Sequence, residues 1–564
     1  MIKRFALPLL LTASVFMGCS KKGGGGSNNN PPPPVNSQHI SVLTQHNDNT
    51  RAGLNDKETS LTTTNVTGAH FGKLFTLAVD DQVYAQPLVV GNLSIASAVH
   101  NVVFIATVNN TVYAYDADSG KLYWQKNFTV SGMRTPNAGD MKSDWCSPYT
   151  NITNNIGIIG TPVIDSVSHT IYFVARSTDG THFVQHLHAV NIITGSEQPG
   201  SPVIITASVP GTGDGNVASI VSFDPMRNNQ RQGLALVNGV VYISYSSHCD
   251  WNPYHGWILG YNAQTLQQQI VYNDTPDGEG GGIWESGQGI AADVQGNLYI
   301  TTGNGTTGKG NLYTATGNGT QDNGPNPDPT DVKNRSESAL KLTPSGSTLK
   351  VSSYFTPTNY FNLNTNDLDY GVMGTLLIPN SDYYFTGCKD GNIYLLNKDN
   401  MGSYSASTNL VQQTVSLNTN FHCQPAYYKG AGNEFVFVWS ENDRLRALSF
   451  IRSSNTFSND QIVSSDIGPS GQTGAMLSVS SNGTLAGTGI LWAYCAATGD
   501  AESNTTPGVL RAYDASDVTK EIWSSKTNAA DYPGNFAKFA SPTIANGHVY
   551  LATFSNEVEV YGLK

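Results

Sequence analysis

Charge is scarce in this chain: lysine, arginine, aspartate and glutamate make up 13% of its 564 residues, with a net charge of -12. No basic stripe is present to neutralise phosphates, which argues against a nucleic-acid partner. No long alanine-, leucine-, glutamate- and lysine-rich pattern of helical period occurs either, so a helical domain is not expected. The six cysteines are dispersed, with no adjacent pair and no C-x-x-C, which leaves zinc-ribbon and thioredoxin chemistry without ligands. G-x-S-x-G elbows, H-E-x-x-H helices and phosphate loops are missing too. The common hydrolase, metalloprotease and nucleotide-binding classes therefore lack their signatures.

What the chain does have is glycine, asparagine, serine and threonine in quantity, the composition of short strands joined by polar turns. It opens with Lys3 and Arg4 before an apolar run, residues 5–17, too short to span a membrane. Phe16-Met17-Gly18-Cys19 resembles a bacterial lipobox, with Phe16 where leucine is usual. That implies a signal peptide over residues 1–18 and lipid on Cys19. Residues 19–38 hold Gly23 to Gly26 and Pro31 to Pro34, a flexible and partly extended tether that cannot bury a core. The folded domain is expected over residues 39–564. Ser20 after Cys19 would permit sorting to the outer membrane, so the expected location is the cell envelope, facing the periplasm or the surface.

A repeat organises the rest. Ala114-Tyr115-Asp116-Ala117-Asp118-Ser119-Gly120-Lys121-Leu122-Tyr123-Trp124 is a strand end, an acidic turn closed by glycine, and a strand carrying tryptophan. The β-branched and aromatic run Val102-Val103-Phe104-Ile105 precedes it, as a buried strand would. Degraded copies continue to the C-terminus: Asn191 to Gly195, Asn262 to Thr265, and Asp514 to Trp523 with one inserted residue. Eight units can be counted, with seven as the alternative. The last lacks a fourth strand, and Phe71-Gly72-Lys73-Leu74-Phe75 matches the missing piece. A chain that begins on a fourth strand and ends on a third can pair its ends. The expected fold is therefore all-β, a closed β-propeller of four-stranded blades.

The turn-and-tryptophan unit resembles the repeat of quinoprotein-like propellers. Further stretches resemble exported PQQ-binding-like β-propeller proteins, among them Gln45-His46-Asn47-Asp48-Asn49-Thr50-Arg51-Ala52-Gly53, Pro253-Tyr254-His255-Gly256-Trp257 and Lys389-Asp390-Gly391. In that architecture the loops leading into the inner strands ring one mouth of a central channel, where quinoproteins hold their cofactor. Those loops here carry Tyr84, Gln86, Arg231, Trp284, Glu285, Asp369, Tyr370, His422, Gln424 and Lys538, the candidate ligand site.

The function expected is a non-catalytic binding or scaffold module for an envelope protein or polymer, with no cofactor. The alternative is a PQQ- and calcium-dependent alcohol or sugar dehydrogenase, with Trp284 as stacking platform and Glu285 and Asp369 as calcium ligand and base. The dehydrogenases usually carry a vicinal cysteine pair, and its absence favours the first reading. Two other constellations read as structural: the loop His248-Cys249-Asp250-Trp251, and the insertion over residues 303–337 with Asp322, Asp328 and Asp331. Disulfides Cys146–Cys249 and Cys388–Cys423 are the pairings expected.

Overall fold

The computed structural model describes residues 39–141, 147–305, 333–417, 419–469 and 471–564. The leader, Cys19, the tether, Cys146, and the aspartates Asp322, Asp328 and Asp331 lie outside the described residues. Gln38–Lys564 forms one compact unit of eight antiparallel sheets built on four strands each.

The first sheet shows why these residues choose this form. Its strands are Leu88–Ile95, Ala98–Ala106, Thr111–Asp116 and Leu122–Asn127. The third, TVYAYD, is buried throughout, as β-branched and aromatic side chains flanked by two neighbouring sheets should be. Asp116 closes the turn that follows. Its Oδ1 accepts from Ser119 N (2.8 Å) and Ser119 Oγ (2.7 Å), and its Oδ2 from Tyr123 OH (2.6 Å). Gly120 then adopts φ +71°, a conformation costly for any side chain. The same side-chain-capped turn recurs on Asn191, Asn262, Asn397 and Asp514, so the carboxamide or carboxylate outlives the rest of the motif. Trp124 packs on the next blade: its Nε1 donates to Ile192 O at 3.0 Å, and a Cβ on Gly195 would lie 2.8 Å from its ring.

The apolar cores lie between adjacent sheets rather than within one. Separate clusters join blades two and three, three and four, four and five, five and six, and six and seven. A larger cluster takes in blades seven, eight, one and two. The eighth sheet consists of Thr543–Ala545, His548–Ala552 and Glu557–Leu563, and its outer strand is the N-terminal Phe71–Ala78, with Phe71 opposite Leu563 and Ala78 opposite Glu557. The strand exchange expected from the sequence is therefore present.

A second use of the N-terminus was not foreseen. Residues 40–58 run as a collar inside the eight leading strands and bond each blade in turn. Val42 pairs with Val89 of blade one, and Leu43 O accepts from Ile164 N of blade two. Asn49 donates to Leu236 O of blade three (2.9 Å) and accepts from Ala292 N of blade four (2.7 Å). Thr50, Ala52 and Gly53 carbonyls accept from Leu377, Tyr427 and Val479 amides of blades five, six and seven at 2.7–2.9 Å. Asn55 Nδ2 closes the circuit on Ile544 O of blade eight at 2.8 Å. Irregular backbone can be buried here because every sheet offers it a partner.

The cysteines correct one expectation. Cys388 and Cys423 are both free buried thiols. They belong to different packing clusters: Cys388 lies among Tyr370, Tyr384 and Tyr394 with its Sγ on Leu368 O (3.2 Å), while Cys423 lies against Met373 Sδ (4.0 Å) beside Phe421. Cys249 is disulfide-bonded.

Candidate functional site

At one mouth of the channel two adjoining cavities, of about 80 Å³ and about 300 Å³, share Asn151, Ser247, Cys249, Trp284, Gln472 and Glu502 as walls. Trp284, half-buried, stands between them. Phe539 and His422 meet its ring edge-to-face at 4.8 and 5.7 Å, which fixes the indole plane.

The larger cavity is acidic. Asp250, Asp367 and Asp369 line it together with Asn304, Lys389 and His422. Asp369 bonds Lys389 Nζ (2.6 Å) through Oδ2 and Asn304 N (3.0 Å) through Oδ1, and Lys389 also reaches Asp367 at 3.4 Å. Burial alone would raise the Asp369 carboxyl, but the Lys389 ammonium outweighs it and holds the group below the usual carboxylate range. Asp250 has no such cation in contact among the described residues. Its own burial, and then the Asp369 and Asp367 charges, push it up to about 6. Behind this wall Glu337 has no partner for Oε1 among the described residues and accepts Tyr370 N at 2.7 Å through Oε2; burial drives its carboxyl well above the ordinary range. Asn304 Oδ1 is a buried acceptor with no partner among the described residues.

The smaller cavity is basic. Arg231 lies over the rings of Tyr84 (5.1 Å) and Phe539 (5.2 Å) and donates to Lys538 O at 3.0 Å. Lys538 is 6% exposed and donates to Glu502 O. Its burial first, and then the Arg231 charge, depress the ammonium to about 7.

Left-handed non-glycine backbone occurs throughout the chain, and six instances lie on or just behind these walls. Cys249, Asp250, Glu285, Ser286, Asp367 and Phe539 all have φ between +47° and +66°, though none is glycine or asparagine. Such conformations persist only where the surroundings over-determine them, and they concentrate at binding sites.

Of the residues singled out from sequence, Tyr84, Arg231, Trp284, Asp369, His422 and Lys538 line the two cavities. Gln86, Glu285, Tyr370 and Gln424 are in the wall instead. Gln86 accepts His46 N (3.0 Å) from the collar, and Gln424 spans Ser286 O (2.7 Å), Phe539 O (3.1 Å) and Ser541 Oγ (2.5 Å). Tyr370 is fully buried between blades four and five. Sequence reasoning missed Asn304, Asp367 and Lys389; Lys389 was visible only as part of a family-like stretch. The ring nitrogens of His248 and His255 are all engaged within the protein. His248 sits between Tyr149 OH (2.9 Å) and Arg176, and His255 between Thr275 Oγ1 (3.0 Å) and Asp214 O (2.9 Å).

Glu285 yields a prediction. It is fully buried, its Oε1 accepts from Thr301 N (2.8 Å), and burial, opposed by the Arg51 charge, raises it to about 8. The folded chain thus keeps a proton that the unfolded chain releases near the ordinary glutamate value of about 4.3. Stability from this group is full below that value and is lost as pH climbs through about 8. Glu285→Gln should flatten the decline in Tm between about pH 5 and about pH 9, measured by calorimetry. Equal slopes for the two proteins would contradict the assignment.

The fold is an eight-bladed β-propeller of four-stranded sheets, the architecture seen in quinoprotein propellers. Solved structures with the same architecture include the quinohemoprotein alcohol dehydrogenase of Comamonas testosteroni, at 12% identity and a TM-score of 0.55 over 93% of this chain and 80% of that one. A second is quinohemoprotein alcohol dehydrogenase ADHIIG of Pseudomonas putida HK5, at 12% identity and 0.52 over 94% and 81%. BamB from Moraxella catarrhalis is also similar, at 11% identity and 0.44 over 87% and 99%. At these identities the likeness is one of fold alone. No family model and no curated protein matches the chain.

Proposed function

We propose that this is a lipid-anchored cell-envelope protein whose propeller works by binding. A polar, ring-bearing group of an envelope protein or polymer seats on Trp284 and is not turned over. The observation that carries this reading is the bipolar mouth: one indole face between an acidic wall (Asp250, Asp367, Asp369) and a basic one (Arg231, Lys538). A buried acceptor without a partner, Asn304 Oδ1, and the strained walls support it. The lipobox-like Phe16-Met17-Gly18-Cys19 and the tether supply the expected anchor.

A quinone dehydrogenase is the second reading, favoured by Trp284 as a platform beside the oxygen donors of Asp369 and Asn304. The fit is incomplete. Lys389 and Asn304 N already engage the Asp369 carboxylate, and among the described residues no three His, Cys, Asp or Glu side chains form a metal-ligating group. No step is built on the quinone or its cation.

Calorimetric titration with tyramine and with 4-hydroxybenzoate tests the binding reading. One site is expected, with Trp284→Ala and Asp369→Asn each weakening tyramine about tenfold or more. Titration with PQQ and calcium followed by dye reduction on alcohols would install the second reading. Binding unaffected by either substitution would remove the mouth from consideration.

A further inference from the structure

Lys538 has an unusual setting for a lysine. It lines a cavity, it is 6% exposed, and no carboxylate among the described residues lies within ion-pair distance of it. The same cavity is lined by Arg231, Tyr84, Tyr149 and Glu502, whose carbonyl oxygen accepts from Lys538 Nζ, and the Glu502 and Asp500 charges act on the ammonium against burial and Arg231. Phe539, the next residue, is held at φ +66° and packs on both Trp284 and Arg231, so the backbone that presents Lys538 is strained and pinned. Arg231 has no carboxylate within ion-pair distance among the described residues either, and it is braced by two aromatic rings and Lys538 O. Two basic groups side by side in a low-dielectric pocket, neither with a carboxylate within ion-pair distance among the described residues, are costly to charge together unless a ligand supplies the anion.

We propose that Lys538 forms a reversible imine with a carbonyl compound bearing a neighbouring carboxylate, a 2-oxo acid, whose carboxylate Arg231 holds. The proposal deepens the binding reading of the mouth and rests on it. In the step, the neutral amine nitrogen adds to the carbonyl carbon. The carbonyl oxygen takes up the two amine protons and leaves as water, and a C=N bond replaces C=O. No electrons are exchanged, and hydrolysis returns both partners. Burial and the Arg231 charge depress the Lys538 ammonium to about 7, so a useful fraction is neutral amine at ordinary pH. Guanidinium and carboxylate suit each other as a fork, which explains why an arginine stands beside the amine.

The test uses the purified full chain, pyruvate as probe and cyanoborohydride to reduce any imine, followed by peptide mass mapping. One dominant adduct on Lys538 is expected, absent from Lys538→Arg. Arg231→Met should slow trapping about tenfold or more, since it removes a charge-assisted bond to the carboxylate. Trapping should also rise as pH passes from about 6 to about 8, where the amine loses its proton. Lactate, which has the carboxylate without the ketone, serves as control in a calorimetric titration. If lactate and pyruvate bind alike at the mouth and no adduct forms on Lys538, the imine is overturned while the binding reading stands. Adducts spread over exposed lysines in proportion to their accessibility would overturn it too. If neither acid binds and no adduct forms, the imine falls, and the tyramine titration separately decides the mouth.

Discussion

Arg51→Ala should cost about 3–5 kcal/mol and lower the melting temperature by about 3–5 °C. Arg51 is fully buried, and its guanidinium is the hub of the collar. Nε donates to Ile290 O (2.9 Å), Nη1 to Thr44 Oγ1 (2.8 Å) and Gln45 O (2.7 Å), and Nη2 to Leu234 O (3.5 Å). Although burial lowers it to about 10, it stays charged at neutral pH. Truncation strands buried acceptors on the collar and on blades three and four at once. Arg51→Lys keeps the charge but not the fork and should fall between wild type and alanine. Hydrogen exchange distinguishes a collar defect from general loosening. The amides of Ala292, Leu377, Tyr427 and Val479 donate to collar carbonyls and should lose protection first. Protection lost uniformly over all eight sheets would contradict the hub role.

Phe71→Ala should be of similar size, about 3–5 kcal/mol, because it empties a core position where three units of structure meet. Phe71 is fully buried and its ring contacts Trp492 (5.3 Å) and Trp523 (5.0 Å) of blade seven and Tyr561 (6.5 Å) of blade eight. It thus anchors the N-terminal strand that completes the last sheet. Loss of the ring should free Phe71–Ala78 for limited proteolysis while the other blades stay protected. Because Trp523 is its direct neighbour, Phe71→Ala and Trp523→Ala should be non-additive in a double-mutant cycle, whereas Phe71→Ala with the distant Trp257→Ala should add.

Most of this architecture can be read in the sequence because the blade rests on local signals. Strand runs alternate with turns whose first side chain, Asp116, Asn191, Asn262 or Asp514, caps the amides that follow. The strand exchange was also readable, since Phe71-Gly72-Lys73-Leu74-Phe75 carries the pattern of a fourth strand. The collar was not. Its residues bond eight different sheets, so no periodicity marks them, and Gln45 to Gly53 stood out only as a family-like stretch. At the mouth, sequence position found the loops but not the side chains that face the cavity. Trp284 enters while Glu285 turns to Thr301, and Asp369 enters while Tyr370 joins the core. Asn304 and Lys389 come from other parts of the chain and meet Asp369 only through the packing of blades four and five.

We propose that the bipolar mouth around Trp284 is the working surface of the protein. The most direct test is a crystallographic soak of the purified domain with a panel of small aromatic amines, aromatic carboxylates and 2-oxo acids. Density on Trp284 is predicted, with amines toward Asp369 and Asp367 and carboxylates toward Arg231 and Lys538. Fragments that gather on other surfaces while the mouth stays vacant would contradict the claim.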